Sequence, residues 1–397
     1  MVSAFISPKE IISGEGSMAQ LGSITQNLGA EHAFIFADPV LVKLGVTARA
    51  VEALKAFNIR YTIFSQIQAE PGLQDGNIAI EAVRSSGADL VIGIGGGSCL
   101  DLAKAAAVLA ANAGLAGDYL NLSGTKKLQS PGLPKILLPT TAGTGSEVTD
   151  IAVFSLHDTK DVISHPYLLA DTAIIDPELT YTLPPKMTAA SGMDALTHAI
   201  EAYLSIQSDD FTDALALEAV RKIYGNIRTA VWQGGERQAR REMAIGSMMA
   251  GLSFFNAGVA GVHALAYPLG GLFKIPHGES NAVLLPYVME YIWPSSLNKM
   301  ARLAAELGIE RGNRSDRELA LLTVGELKSL VEETGLPTSL SYYGITEKDI
   351  ESLAHNGMKQ TRLLSRSPRP LTIDAAAGIY RSALRGNLKM EKNRLGG

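Results

Sequence analysis

Up to the double proline Pro184-Pro185, short apolar runs alternate with stretches whose apolar residues recur at helical spacing. Ala33-Phe34-Ile35-Phe36-Ala37 reads as a buried strand that ends at Asp38, with a helix over residues 49–57 behind it. Arg60-Tyr61-Thr62-Ile63-Phe64 is a second strand, followed by a helix over 77–85. Leu90-Val91-Ile92-Gly93-Ile94 runs into a glycine loop and an Ala-rich helix over 100–111, and residues 135–139 and 172–176 complete the strands. Strands that alternate with helices predict a mostly parallel sheet covered on both faces. Beyond the prolines the texture changes to long helical segments over 191–204, 209–224, 236–255, 297–307 and 320–334. The expected fold class is an α/β N-terminal nucleotide-binding domain over residues 1–184 plus an all-α C-terminal domain over 185–397. A cleft between two such domains is a natural place for a site.

One stretch complicates the pattern. From Met243 to Phe273 there is no Asp, Glu, Lys or Arg, a length that could span a bilayer. It also carries Gly246, Ser247, Gly251, Ser253, Asn256, Gly258, Gly261 and His263, which fit a central helix buried on all sides better. A hydrophobic fraction of 46% supports a packed globular chain with no membrane partner. The net charge of −5 argues against bulk nucleic-acid binding. A single cysteine, Cys99, excludes an internal disulfide and suits a reducing compartment. The N-terminus has neither the basic start nor the apolar core of a signal peptide, so a cytoplasmic location is expected.

Gly95-Gly96-Gly97-Ser98 directly follows a strand and opens a helix. Glycines let backbone approach a pyrophosphate, and helix N-terminal N–H groups stabilise its charge. Ser98 is expected to cap that helix, with Asp101 completing a capping-box-like arrangement. The loop is not a standard dinucleotide fingerprint, because Ser98 stands where G-x-G-x-x-G has its last glycine. Asp38 ends an earlier strand, where its carboxylate can accept ribose hydroxyls and repel a 2′-phosphate, or simply serve a turn before Pro39. A second loop, Pro139 to Thr149, is dense in hydroxyls and also follows a strand, a position that favours ligand contact.

The sharpest chemistry lies in the second half. Asp194 and His198 are four residues apart, on one helix face, and His263 and His277 follow in Gly-Val-His and Pro-His-Gly settings. One carboxylate with three imidazoles suits a divalent transition metal that keeps a coordination position open. Taken singly, each has a plainer reading: a helix histidine, a core histidine near a helix end, a turn histidine, a first-turn carboxylate. Seven histidines in the chain make three in such settings a concentrated signal.

At this point the chain resembles the iron-containing (group III) alcohol dehydrogenases, a family with the dehydroquinate-synthase-like fold. The resemblance is carried by Asp38-Pro39, GGGSCLDLAK from Gly95, PTTAGTGSEVT from Pro139, Asp176 to Leu179, GMDALTHAIE from Gly192, and the stretches around His263 and His277. It implies NAD(P) on the first domain and a metal on the second. Asp194, His198, His263 and His277 match the ligand positions, with Fe²⁺ implied and Zn²⁺ open. Gly96, Gly97 and Ser98 match pyrophosphate contacts. Thr140, Thr141, Thr144, Thr149, Lys160 and Leu179 match the remaining cofactor positions, and Asp38 the one associated with NAD over NADP. A homodimer is also implied.

The implied reaction is metal-assisted hydride transfer between a small alcohol, diol or semialdehyde and NAD(H), an EC 1.1.1.- activity. Tyr267 and His277 stand nearest the chemistry. Some relatives have a histidine where Tyr267 stands, and a phenol with a pKa of about 10 is a poor base at neutral pH. Glu70-Pro71-Gly72 also departs from the Asn-Pro-Thr of some relatives. Phe254, Phe255 and Tyr267 suggest a small, partly apolar pocket, and Arg362, Arg366 and Arg369 could reach it to bind an anionic substrate or be surface charges. The rival readings are a zinc glycerol-dehydrogenase-like enzyme, a dehydroquinate-synthase-like lyase, and a non-catalytic NAD sensor.

Overall fold

The computed structural model describes residues 4–156 and 160–389. They form two compact units, Ile6–Thr182 and the chain from Leu183 onward, with Phe5 grouped with the second.

In the first unit, six strands make one wholly parallel sheet. They are β1 (Glu10–Ser13), β2 (His32–Ala37), β3 (Arg60–Phe64), β4 (Leu90–Gly95), β5 (Lys135–Pro139) and, later in the chain, β8 (Thr172–Ile175). Their spatial order is β1-β8-β5-β4-β2-β3. Between β5 and β8 the chain makes a separate antiparallel hairpin, β6 (Ile151–Ser155) with β7 (Lys160–Ser164). The expected strands match to within one residue at each end; β1 and the hairpin were not anticipated.

The strands β2 and β4 are buried at every position, which is why they read as unbroken apolar runs. Alternate residues point to opposite faces. Phe34, Phe36 and Val91 join the core under α4 (Leu73–Ser86) and α5 (Gly97–Leu109). Ala33, Ile35, Leu90 and Ile92 join the core under α1 (Leu21–Asn27) and α3 (Val46–Lys55). Helix α5 is buried at every residue from Cys99 to Leu109, including Asp101 and Lys104. Its alanines, with Gly93 on the sheet, permit that closeness: a Cβ on Gly93 would lie 3.0 Å from the Ala103 Cβ and 2.9 Å from Leu137.

After β2 the chain runs outward to the edge strand β3, whereas after β4 it runs the other way to β5. The C-terminal ends of β2 and β4 therefore flank the switch point of the sheet, where open α/β sheets take their ligands. Asp38 follows one of these strands and Gly96 the other.

The second unit is helical: α6 (Pro185–Leu204), α7 (Asp210–Trp232), α8 (Arg237–Ala257), α9 (Gly261–Phe273), α10 (His277–Ile292), α11 (Leu297–Glu306), α12 (Asp316–Glu333), α13 (Ile350–Met358), α14 (Thr361–Leu364) and α15 (Ile373–Arg385). Pro185 starts α6 at the position proline favours. The uncharged stretch is not one central helix. It breaks at residues 258–260, so that α8 and α9 meet at 104°. Gly258 sits at φ 84°, ψ 160°, a backbone state that essentially only glycine adopts, and closes α8 through Gly258 N–H to the Phe254 carbonyl at 2.7 Å. Among the described residues no single helix is long and apolar enough to cross a membrane. Helix α15 closes at Arg385, and the basic residues beyond 389 lie outside the described residues.

Candidate metal and nucleotide sites

The nucleotide-side residues gather at the switch point. Gly96 is the N-cap of α5 in an extended conformation, and no side chain caps the helix. Ser98 is therefore not the cap that the sequence suggested. It lies within the first turn, where its Oγ accepts from Glu70 N–H at 3.1 Å. Asp101 completes no capping box either: its carboxylate accepts from Ser146 Oγ at 2.6 Å and Val153 N–H at 3.0 Å. With no side chain at Gly96, the N–H groups of Gly97 and Ser98 at the helix start have no side-chain cap, the arrangement that suits an anion.

Gly97 is glycine for a packing reason. A Cβ there would lie 2.8 Å from Thr144 Cγ2 and 3.0 Å from its Oγ1, so Thr144 closes over the helix start. At Gly96 a Cβ would meet only Thr141, at 3.5 Å. Thr140 follows β5 and donates its N–H to the Gly95 carbonyl at 3.0 Å. Thr149 is buried, and its Oγ1 accepts from the fully buried Lys104 Nζ at 3.2 Å. Lys104 also donates to the Ser146 carbonyl at 2.9 Å and to that of Ile151, and pairs with Asp101 at 3.2 Å. It thereby ties the hydroxyl loop to α5. Next to it, burial pushes the Glu147 carboxyl up to about 7.

Asp38 caps the short helix α2 (Pro39–Lys43) through Oδ1 to Val40 N–H at 2.8 Å, where the plainer reading had a turn before Pro39. It also stands at the switch point, 3.9 Å from where a Gly95 Cβ would be. Lys160 donates to Glu70 Oε1 at 2.8 Å. Glu70 holds a left-handed φ of 53°, uncommon for a residue with a side chain. Leu179 packs into the core against the β2–β4 face.

The metal-side residues come from three helices of the second unit. Asp194 and His198 share a face of α6, His263 is in the first turn of α9, and His277 opens α10. The helix break at Gly258 makes this possible, since it puts His263 at a helix start and not near the end of a continuous helix. Asp194 Oδ1 lies 3.8 Å from His263 Nε2 and 3.6 Å from His277 Nε2, and the three ligand atoms fall within 4.8 Å of one another. Ligands about 2.1 Å from a shared ion stand roughly 3–3.5 Å apart, so the set needs little contraction to hold one. His198 is not in that converging trio. Its ring is sandwiched between Phe254, at 4.2 Å, and His263, at 4.6 Å.

Two buried residues missing from the sequence reading complete the centre. Glu201, one turn beyond His198, accepts from His263 Nδ1 at 2.6 Å and from the N–H groups of Val262 and His263 at 2.6 and 3.4 Å. One carboxylate thus caps α9 and holds the His263 proton on Nδ1, turning the Nε2 lone pair toward Asp194. Asn281, one turn beyond His277, places Nδ2 2.7 Å from Asp194 Oδ1. For Asp194 itself burial is the largest influence and acts upward. The electrostatic pull of the neighbouring His198, His277 and His263 rings, with the Asn281 hydrogen bond, outweighs it and holds the carboxyl below its usual range. A buried anionic oxygen, two imidazole nitrogens pointed at it and an outer carboxylate fixing one tautomer are a donor set that fits a divalent transition metal.

Tyr267 lies one turn after His263, with its ring 5.9 Å from that of His277. It packs with Phe254, Val259, Ala264, Leu363 and Leu364 into an apolar wall. Two of the three arginines are engaged elsewhere. Arg366 lies over Gly258 and donates to Gln207 at 3.1 Å, and Arg369 stacks on Tyr291 and donates to its carbonyl at 2.7 Å.

Comparison with known proteins covers nearly the whole chain. A family model described as iron-containing alcohol dehydrogenase matches residues 8–177, and one described as Fe-containing alcohol dehydrogenase family, C-terminal, matches residues 188–384. Long-chain-alcohol dehydrogenase 1 of Geobacillus thermodenitrificans is 50% identical over 375 residues, 94% of this chain and 95% of that protein. The crystal structure of a 1,3-propanediol oxidoreductase superposes with a TM-score of 0.93 at 33% identity, covering 96% of this chain and 100% of the other. A sulfoacetaldehyde reductase from Bifidobacterium kashiwanohense, solved in complex with NAD⁺, superposes with a TM-score of 0.88 at 28% identity, covering 97% and 99%.

Proposed function

Because this chain belongs to the iron-containing alcohol dehydrogenase family and is a metal-dependent alcohol dehydrogenase/aldehyde reductase, we propose that it interconverts a small, largely apolar alcohol and its aldehyde with NAD(H). Asp194, His198, His263 and His277 would hold Fe²⁺, with Zn²⁺ the alternative. Gly96, Gly97, Ser98, Thr140, Thr141, Thr144, Thr149, Lys160 and Leu179 would line the cofactor, and Asp38 would favour NAD over NADP. The observation that carries this reading is the convergence of Asp194 Oδ1 with the Nε2 atoms of His263 and His277, backed by Glu201.

When bound, a divalent ion supplies Lewis-acid polarisation of the substrate oxygen, and nicotinamide supplies the hydride acceptor or donor. The chain's own residues do the rest. Glu201 keeps the His263 proton on Nδ1, and the start of α5, which no side chain caps, offers N–H groups to a pyrophosphate. Phe254, Tyr267 and Leu363 form an apolar wall that excludes water on the substrate side. With Arg366 and Arg369 engaged elsewhere, that wall favours neutral alcohols over anionic ones.

A cytoplasmic location and a homodimer belong to the same proposal, supported by the lone Cys99 and by the family resemblance, and sedimentation measures the second. The activity is tested by following NADH absorbance with C2–C4 alcohols, hydroxy acids and aldehydes on iron-loaded and zinc-loaded protein. Turnover of neutral alcohols with iron is expected. Turnover of none with either metal would refute the reading.

A further inference from the structure

Asn281 lies on α10 four residues after His277, so both project from one face of the helix. Its side chain is fully buried. Its Nδ2 stands 2.7 Å from Asp194 Oδ1, 3.1 Å from His263 Nε2 and 3.3 Å from His277 Nε2. A carboxylate oxygen only accepts, so the end of the amide that faces Asp194 is the NH₂ and not the carbonyl. Glu201 takes the Nδ1–H of His263, so that Nε2 is the ring nitrogen left to face Asn281 and Asp194. The two N–H bonds of the amide thus face three ligand atoms, each within 3.3 Å. At the other end of the same amide, Oδ1 is buried with no hydrogen-bond partner.

Buried polar groups are nearly always paired, and such exceptions call for a cause. Three ligand atoms crowded around the NH₂ and an orphaned oxygen behind it form one pattern, because a half-turn of the amide exchanges the two ends. That turn sets a carbonyl dipole, and no longer an N–H, toward whatever occupies the centre of the three ligand atoms. A hard divalent cation favours an oxygen facing it.

We propose that Asn281 is a further member of the metal centre, a rotating clamp. Its NH₂ ties Asp194, His263 and His277 together when no cation is bound, and its Oδ1 turns to the cation when one is. The inference rests on reading those three residues as metal ligands. No bond is made or broken in the exchange apart from hydrogen bonds.

The test uses the full chain, treated with chelator and then titrated anaerobically with Co²⁺, whose visible absorption reports the ligand field. Wild type is compared with Asn281→Leu, which keeps the size without polar atoms, and Asn281→Asp, which keeps the shape and sets an acceptor against Asp194. The Co²⁺ Kd of Asn281→Leu should rise about 10- to 100-fold, with a changed absorption band. The chelator-treated variants should melt below wild type, Asn281→Asp lowest, and Co²⁺ should raise the melting temperature of Asn281→Asp more than that of wild type. Should Asn281→Leu not fold, the melting and Co²⁺ response of Asn281→Asp decide alone. Wild-type affinity, spectrum and melting in the variants would overturn the clamp and leave the metal centre standing. Failure of wild type to take up Co²⁺ would overturn the metal reading itself.

Discussion

Replacing Glu201 by glutamine probes the least visible part of the proposed metal centre. The carboxylate accepts at both ends: Oε1 from Val262 N–H at 2.6 Å, Oε2 from His263 Nδ1 at 2.6 Å and His263 N–H at 3.4 Å. Glutamine can accept at only one end, because the other becomes an NH₂ donor. If that NH₂ faces Val262, two donors meet at hydrogen-bond distance and the start of α9 loses its cap. If it faces His263, the ring must move its proton to Nε2, pointing N–H at Asp194 and removing the lone pair from the metal side.

Either arrangement forfeits one hydrogen bond to a charged group, about 1.5–3 kcal/mol of stability. Outer-carboxylate changes typically cost 10- to 100-fold in metal affinity, or about 1.4–2.7 kcal/mol. The assay is competition for Fe²⁺ or Zn²⁺ against a chromophoric chelator, with urea unfolding of the chelator-treated protein alongside and imidazole nitrogen shifts to read the tautomer. A Glu201→Gln protein with wild-type metal affinity within twofold, wild-type stability and the His263 proton still on Nδ1 would refute this reasoning.

Other expectations follow from the same structure. Glu147 has its carboxyl raised by burial from 4.5 to about 7, so between those values the native state keeps a proton that the unfolded chain has released. Stability from this group is greatest below about pH 4.5 and falls by about 3 kcal/mol as pH rises to 7. Glu147→Gln should flatten that part of the profile, and urea midpoints at pH 5 and pH 8 that shift alike in variant and wild type would count against it. Gly97→Ala forces a Cβ against Thr144 and should cost about 1–3 kcal/mol along with NADH affinity, whereas Gly96→Ala, with ordinary contact at 3.5 Å, should fold normally and lose chiefly NADH affinity. Equal stability loss in both, measured beside NADH fluorescence titrations, would contradict the packing argument. Tyr267→Phe should keep kcat at neutral pH within about tenfold, since a phenol is ordinarily a poor base there. A loss of a hundredfold or more would make the hydroxyl part of the proton route.

Much of this architecture was legible because burial on both sides leaves a plain signature. The β2 and β4 strands are unbroken apolar runs for that reason, and Asp194 with His198 declare themselves by helical spacing. The half-exposed β1 escaped because a four-residue strand carries little periodicity, and β7 because its buried positions include the charged Lys160 and Asp161. The break between α8 and α9 was hidden by composition: the absence of charge on both sides made two helices read as one, although Asn256 and Gly258 are ordinary helix-end residues. Ser98 was misread as a cap because a hydroxyl after three glycines resembles one, whereas Gly96 takes that place without any side-chain bond. Glu201 was within reach, since it follows Asp194 by seven residues and His198 by three on the same face of α6. What could not be read was its partner, because the contact with His263 depends on how α6 meets the start of α9.

Asp194, His263 and His277, with His198 beside them, are proposed to form the centre that holds one divalent metal ion. Anaerobic equilibrium dialysis with Fe²⁺ followed by elemental analysis tests it most directly, on wild type and on a paired Asp194→Ala, His263→Ala variant. One ion per chain in wild type and essentially none in the variant, with both proteins still binding NADH, is the predicted result. An equal ion content in the two proteins would contradict it.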